Sequence, residues 1–354
     1  MSRPHLSVDV NQDMFIARIF GGIVGRDFLV HAPLIERRRG AVKGKGNLMR
    51  DLITLQSGGT QAEILTLGAT LCSLTFEQGR NLVLGFADPA DYAGIPIYAG
   101  AVVGPVANRL SGGQVVIDGQ VHKLPVNEPP DTCLHGGANG LHAQIWQIVD
   151  QADDQVTLTC DLEDGACGLP GKRHIKATYR LELQSLHLTL RATTDRTTLM
   201  NPAHHPYWTL TESLQIAAEK VLLTDHGNLP TGAVMDVHGP FDLRMPGAIS
   251  SMLDHCFCLN GTQPAARLTA SDGHWVEVET GAPGLQVYAG AFLPDMPSEK
   301  CRGARIHPGA GTALEPQKWP DAPRHPHFPD ITLHPEETFE QTTIYRFGTA
   351  SIRS

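Results

Sequence analysis

The sequence predicts an all-β protein: one large, mostly antiparallel β domain of ~300 residues, folded as a sandwich or a barrel. Three observations predict it. Glycine (36) and proline (25) are abundant among the 354 residues, which implies many turns. Several segments carry apolar residues at every second position, the spacing of a half-buried strand. No window carries a helical apolar stripe of more than two turns.

Taken in order, the chain starts with apolar "MFIARIFGGIVGRDFLVHAPL" followed by basic "ERRRGAVKGKGN". A signal peptide runs the other way, basic before apolar, and Arg18 and Arg26 interrupt the apolar part. Residues 1–48 therefore read as an extension outside the core, and 49–354 as the domain. "AEILTLGATLCSLTF" reads as β, broken at Gly68. "GGQVVIDGQVHKL" reads as a hairpin around Asp118-Gly119, and "WQIVDQADDQVTLTCDLEDG" as another around "QADDQ". In "HIKATYRLEL", Ile175, Ala177, Tyr179, Leu181 and Leu183 alternate with mostly polar neighbours. "LHLTLRATT" repeats the pattern through Leu186, Leu188 and Leu190. No Gly/Ser linker, low-complexity tract or short-period repeat divides the domain.

Composition excludes several function classes. A formal charge of -9 and a pI near 6.0 argue against a nucleic-acid partner. No apolar run is long enough for a membrane span. The seven cysteines form no CxxC pair, and Cys256 and Cys258 suit one face of a strand. They read as reduced thiols in a cytoplasmic compartment. Asn260-Gly261-Thr262 matches a glycosylation sequon but reads as a turn.

Motifs exclude more. No GxGxxG, GxxxxGK[ST], GxSxG or HExxH is present, so nucleotide binding, serine hydrolysis and zinc-protease chemistry have no support. "HPH" at 325–327 could put two imidazoles together, but Pro326 and Pro329 disrupt a strand there and the next acid is Asp330. No metal site is expected.

What remains is histidine and carboxylate. "ANRLSGG" and "CLHGGANGLHAQIW" supply Arg109 and His135. "NPAHHPYWTL" supplies adjacent His204 and His205, which in extended backbone point to opposite faces. "GTALEPQKWPDAPRHPHFPD" sets Glu315 among apolar residues, a costly placement unless the carboxylate is paired or catalytic. A Glu and a His facing each other across a pocket make a general base and a general acid. An aromatic face such as Trp208 suits the C–H face of a sugar, although Trp208 and Trp319 also read as core.

Together these stretches resemble the aldose 1-epimerase (galactose mutarotase) family. The blocks "VVGPVANRLSGG", "GQVHKLPVNEPPDTCLHGGANGLHAQIW", "NPAHHPYW", "LDHCF", "LQVYAGAFL" and "ALEPQKWPDAPRHPHFPDITLHPEETFEQTTIYRF" occur in order over roughly residues 50–347. The resemblance implies a large antiparallel β-sandwich, the galactose mutarotase-like supersandwich. It implies interconversion of the α and β anomers of free aldoses, with no cofactor, by a monomer or homodimer. It puts the catalytic acid on His205 and the base on Glu315. It puts sugar contacts on Asn108, Arg109, His135, Asp254 and Gln286. His204 stands where many members carry Asn, so it faces away from the reaction centre or lines its edge. Pro105, Thr209 and Ala291 depart from common family residues and are expected at or beside the sugar. Two other readings use the same fold. A non-catalytic sugar-binding protein would not need both His205 and Glu315. A hexose-phosphate epimerase would need a cluster of Lys and Arg, and Arg109 is the one basic residue placed at the sugar.

Overall fold

The protein is described here by a computed structural model covering residues 51–76 and 79–350. The extension assigned to residues 1–48 lies outside the described residues.

Turn chemistry and alternation build the elements. Thr60–Leu65 and Thr70–Phe76 pair antiparallel, and Gly68 between them has φ +68°. A Cβ at Gly68 would stand 2.7 Å from the His142 carbonyl, so the break in the pattern is also a close backbone approach. Gln114–Ile117 and Gln120–Lys123 form the first predicted hairpin, with Asp118 at φ +49° and Gly119 at φ +73°. Two positive φ values define the turn type whose twist matches a hairpin. The second hairpin is Gln147–Gln151 with Gln155–Leu162.

Arg173–Glu182 buries Ile175, Ala177, Tyr179 and Leu181 as alternation requires. Leu183 departs from the pattern: the strand ends at Glu182, which pairs with Ser185, and Leu183 is 58% exposed in the turn between them. There it packs over Gly58.

Three larger sheets result. Eight strands follow the spatial order Gln147–Gln151, Gln155–Leu162, Arg173–Glu182, Ser185–Thr194, Phe339–Thr349, His274–Thr280, Ala266–Thr269, Ser213–Ile216. Six follow the order Tyr207–Trp208, Thr312–Gln317, Gly284–Tyr288, Asp254–Leu259, Ala218–Thr224, Pro230–Asp236. Four span Leu52 to Asn81. All neighbouring strands in these sheets run antiparallel. The largest apolar cluster draws on all three: Leu55 and Ile64, Tyr179 and Phe347, Phe257 and Leu314. The architecture is the expected large antiparallel β-sandwich. Among the described residues, no helix is long and apolar enough to cross a membrane.

Candidate active site

Strand alternation separates the paired histidines. Ala203–His204 pairs with Val102–Val103, and the next residue continues extended, its N–H donating to the Ala101 carbonyl (2.9 Å). His204 therefore turns into the core. Its Nε2–H donates to the Gly100 carbonyl (3.1 Å), and its Nδ1 accepts from the Tyr345 hydroxyl (3.1 Å). Burial holds its pKa down to about 3, against the pull of the Gly100 carbonyl, so it is a neutral structural group. His205 turns the other way, into a cleft.

Glu315 reaches the same cleft from Thr312–Gln317. In register, Glu315 faces Gln286 across the ladder, while Leu314 and Val287 point to the core. His205 Nε2 stands 3.4 Å from Glu315 Oε1, and both residues are buried. Burial, then repulsion from Asp254, holds the Glu315 carboxyl well above its ordinary pKa, with Arg109 opposing. Burial pushes His205 down to about 4, its own carbonyl opposing and His142 adding to the shift. Both directions have one physical cause: a desolvated pair favours its neutral forms.

His135 stands edge-on to His205, ring centroids 5.4 Å apart. It sits at φ +53° before Gly136 and Gly137, a turn locked by Asn108. The Asn108 carbonyl accepts the His135 N–H (3.0 Å), and the Asn108 N–H donates to His135 Nδ1 (3.1 Å). That second bond fixes the tautomer: Nδ1 offers its lone pair, so Nε2 carries the hydrogen. Burial and the neighbouring His205, His142 and Arg109 keep His135 well below its ordinary pKa, hence neutral. His135 thus presents an N–H donor to the cleft.

Arg109 is clamped by two carboxylates. It makes a bidentate pair with Glu128 (2.8 and 3.2 Å), and its Nη1 lies 3.6 Å from Asp254 Oδ2. Asp254 also accepts from Gln286 Nε2 (2.7 Å) and Asn228 Nδ2 (3.0 Å). Asn108 Oδ1 accepts the Arg109 N–H (2.8 Å).

These groups line a cavity of about 380 Å³, within the range of small-molecule sites. Tyr98, Tyr207, Tyr288 and Phe292 complete its walls. A hollow of about 420 Å³ on the outer face of the eight-stranded sheet is lined by threonines, His174, Lys176 and Arg191, without a buried acid/base pair.

His205, Glu315, Asn108, Arg109, His135 and Asp254 thus come together. Gln286 does not line the cavity; it holds Asp254 from behind. Trp208 is core, packed on Tyr345, and Trp319 packs on Phe328, so neither offers a face to a sugar. Pro105, Thr209 and Ala291 also lie outside the lining, and the Thr209 hydroxyl donates to the Asn81 carbonyl (3.2 Å). Tyr98, Glu128, Asn228, Tyr288 and Phe292 are cleft residues that sequence reasoning missed. "DHGN" at 225–228 carries a turn signal, but nothing local says which wall that turn reaches. Tyr98, with φ +58°, and Glu128 carry no signal at all.

His135, His205 and Glu315 form a group whose ligand atoms lie within 4.8 Å of one another. The donor set does not suit a cation, because the Asn108 N–H occupies His135 Nδ1 and leaves an N–H facing the centre. His325 and His327 of "HPH" donate to backbone carbonyls instead of gathering round an ion.

A large β-sandwich with a buried imidazole–carboxylate pair on a polar, aromatic-walled cleft defines a class: proton-transfer enzymes for a small, hydroxyl-rich molecule. Comparison with known proteins gives the family. The aldose 1-epimerase family model matches residues 51–346. The galactose mutarotase of Rattus norvegicus is 34% identical over 325 residues, covering 84% of this chain and 93% of that one. The aldose 1-epimerase of Escherichia coli K12 is 33% identical over 331 residues, covering 84% and 94%. Among solved structures, an aldose epimerase homologue from C. elegans matches with a TM-score of 0.80 at 29% identity, covering 86% of this chain and all of that one. The galactose 1-epimerase from Lactobacillus acidophilus matches with a TM-score of 0.77 at 31% identity, covering 87% and 98%. The chain belongs to the aldose 1-epimerase family.

Proposed function

We propose that the protein interconverts the α and β anomers of free aldoses, with Glu315 as base and His205 as acid. The observation that carries this reading is the buried 3.4 Å contact between His205 Nε2 and Glu315 Oε1, open to the cleft. A pyranose anomerises by opening. Glu315 takes the proton of the C1 hydroxyl while His205 gives a proton to the ring oxygen. The C1–O5 bond breaks and an aldehyde forms. Rotation about C1–C2 exposes the other carbonyl face, and reclosure returns each proton along its path.

The pair carries one proton through the cycle. In the empty cleft burial keeps that proton on Glu315. Sugar hydroxyls donating to Glu315, with the Arg109 cation nearby, favour the carboxylate and pass the proton to His205. His135 Nε2–H and Arg109 are the donors placed to stabilise charge developing on oxygen. Asn108 positions His135, and Gln286 positions Asp254. Two well-placed proton carriers worth ~10²–10⁴ each suffice for a reaction that water already performs slowly.

A phosphorylated sugar fits the cleft poorly. Arg109 is its one Lys or Arg among the described residues, and Glu128 and Asp254 already neutralise it. The cysteines support a reducing, cytoplasmic location, since all seven are free thiols and six are buried. The test of function is polarimetry of freshly dissolved α-anomers across free aldoses. Catalysed approach to the equilibrium rotation is expected; sugar binding without any rate enhancement would leave a non-catalytic binding protein.

A further inference from the structure

The "HPH" stretch clips an open sheet edge. Pro230–Asp236 is the edge strand of the six-stranded sheet. His325 Nε2–H donates to the Pro230 carbonyl (3.1 Å) and His327 Nε2–H to the Gly232 carbonyl (2.8 Å). This stretch of the edge is bulged, since Val234 pairs with Leu222 and Pro230 with Thr224, leaving residues 231–233 opposite Leu223 alone. The two imidazoles bond carbonyls of that bulged segment, where no neighbour strand is present. Gly232, at φ +88°, makes this possible: a Cβ there would stand 2.8 Å from His325 Nδ1.

The clipped strand carries a wall of the cleft. The turn before Pro230 is tied by Asp225 Oδ1, which accepts from Gly227 N–H (2.8 Å) and Leu229 N–H (3.0 Å). Asn228 sits in this turn at φ +58° and lines the cavity, its Nδ2 3.0 Å from Asp254 Oδ2. One N–H of the amide is committed to Asp254. The other N–H and the carbonyl leave it able to donate to or accept from a sugar hydroxyl. A site that hydrogen-bonds a particular hydroxyl discriminates against a sugar that presents it elsewhere, because its buried polar group is then left unpaired.

We propose that Asn228 is a specificity-determining residue of the cleft, and that His325 and His327 are its positioning residues. This rests on the aldose-anomerising activity proposed above. The turn hangs from Pro230, so the imidazole clip sets how far the Asn228 amide reaches over the sugar. Without the clip, the edge strand and its turn shift, and selectivity changes although no cleft residue has been replaced.

The experiment is polarimetric kinetics with galactose, glucose, xylose and arabinose on wild type, Asn228→Leu, His327→Met, His327→Gln and the double variant Asn228→Leu/His327→Met. Asn228→Leu is expected to change at least one ratio of kcat/KM between two of these sugars by roughly fivefold or more. His327→Met should shift the same ratio in the same direction by roughly twofold or more, and His327→Gln, which keeps an N–H donor, should restore it. The double variant should show the ratio of Asn228→Leu alone, because the clip acts through that amide. Should circular dichroism show His327→Met to be unfolded, His325→Met supplies the same comparison. Unchanged ratios in Asn228→Leu overturn the proposal, as does a clip variant that loses thermal stability while keeping wild-type ratios. These outcomes are read against wild-type turnover, whereas a wild type that accelerates no aldose overturns the activity reading itself.

Discussion

His204 and His205 carry the same side chain into opposite surroundings, and each variant should report its own. His205→Asn and Glu315→Gln each remove a proton carrier while keeping polarity, so each should lower kcat by ~10²–10⁴. Combined, they should cost less than the sum, because both act in one step; full additivity in initial polarimetric rates would argue against a shared step. The pair works with one proton, which burial and Asp254 hold on Glu315. Activity should therefore fall as pH rises through the raised Glu315 value and strips that proton, an alkaline limb that lies above the ordinary carboxylate range. A limb at or below that range would contradict the burial argument. Stability runs in the same sense. A carboxyl whose folded pKa lies above its unfolded one contributes stability in full below the unfolded value and loses it as pH rises through the folded value. Glu315→Gln escapes that loss and should melt no lower than wild type at pH 8. His204→Asn should behave in the reverse manner. Asn is too short to reach both Tyr345 and Gly100, so ~1–3 kcal/mol of stability should go while turnover stays within a few fold. Denaturant titration and polarimetry on one preparation separate the two effects.

At the scale of elements, strand Tyr207–Trp208 pairs with Thr312–Gln317 and joins the His205 segment to the Glu315 strand. Its two aromatics divide the work. Tyr207 lines the cleft, and Trp208 is buried against Tyr345. Trp208→Phe should therefore cost ~1–3 kcal/mol of stability and leave KM unchanged. A raised KM with unchanged melting would return Trp208 to the sugar. Alternation was legible here for the same reason it was legible at His204 and His205: neighbouring residues of a strand must part. Which of the two faces holds the cleft was not, because local sequence does not say what packs on either side.

Over the whole molecule, His135, His204 and His205 are all buried and held neutral. Their folded pKa values lie below the unfolded ~6.5. A depressed pKa contributes stability that is present above the unfolded value and lost as pH falls toward the folded one. As pH falls from ~6.5 to about 4 the unfolded chain takes up protons that His204 and His205 do not take in the fold, so these imidazoles should weaken the fold over that window, with the raised Glu315 carboxyl working against them. Melting temperature against pH checks this: a flat curve over that window would mean these imidazoles titrate normally. The domain boundary is tested separately. The family match begins at residue 51, and the strands that close the core begin at Leu52. A chain starting at Met49 should fold and turn over as the full chain does. Insolubility or lost activity would place residues 1–48 within the fold.

The sequence by itself determined the β class, the hairpins at Asp118-Gly119 and "QADDQ", and the opposite facing of His204 and His205. Period-two patterning and turn chemistry are local properties, carried by neighbours along the chain. Spacing among distant blocks was enough for the family resemblance, and through it for the expectation that His205 and Glu315 carry the chemistry. Only the tertiary structure decided that Glu128 pairs with Arg109, that Gln286 stands behind Asp254, and that Asn228 reaches the cleft from an edge strand. It also put Trp208, which reads from sequence either as a sugar face or as core, in the core. These contacts join residues 19 to 32 positions apart in the chain, through sheet order and loop reach. Their energies come from burial and hydrogen-bond geometry, quantities that exist once the strands have chosen their neighbours.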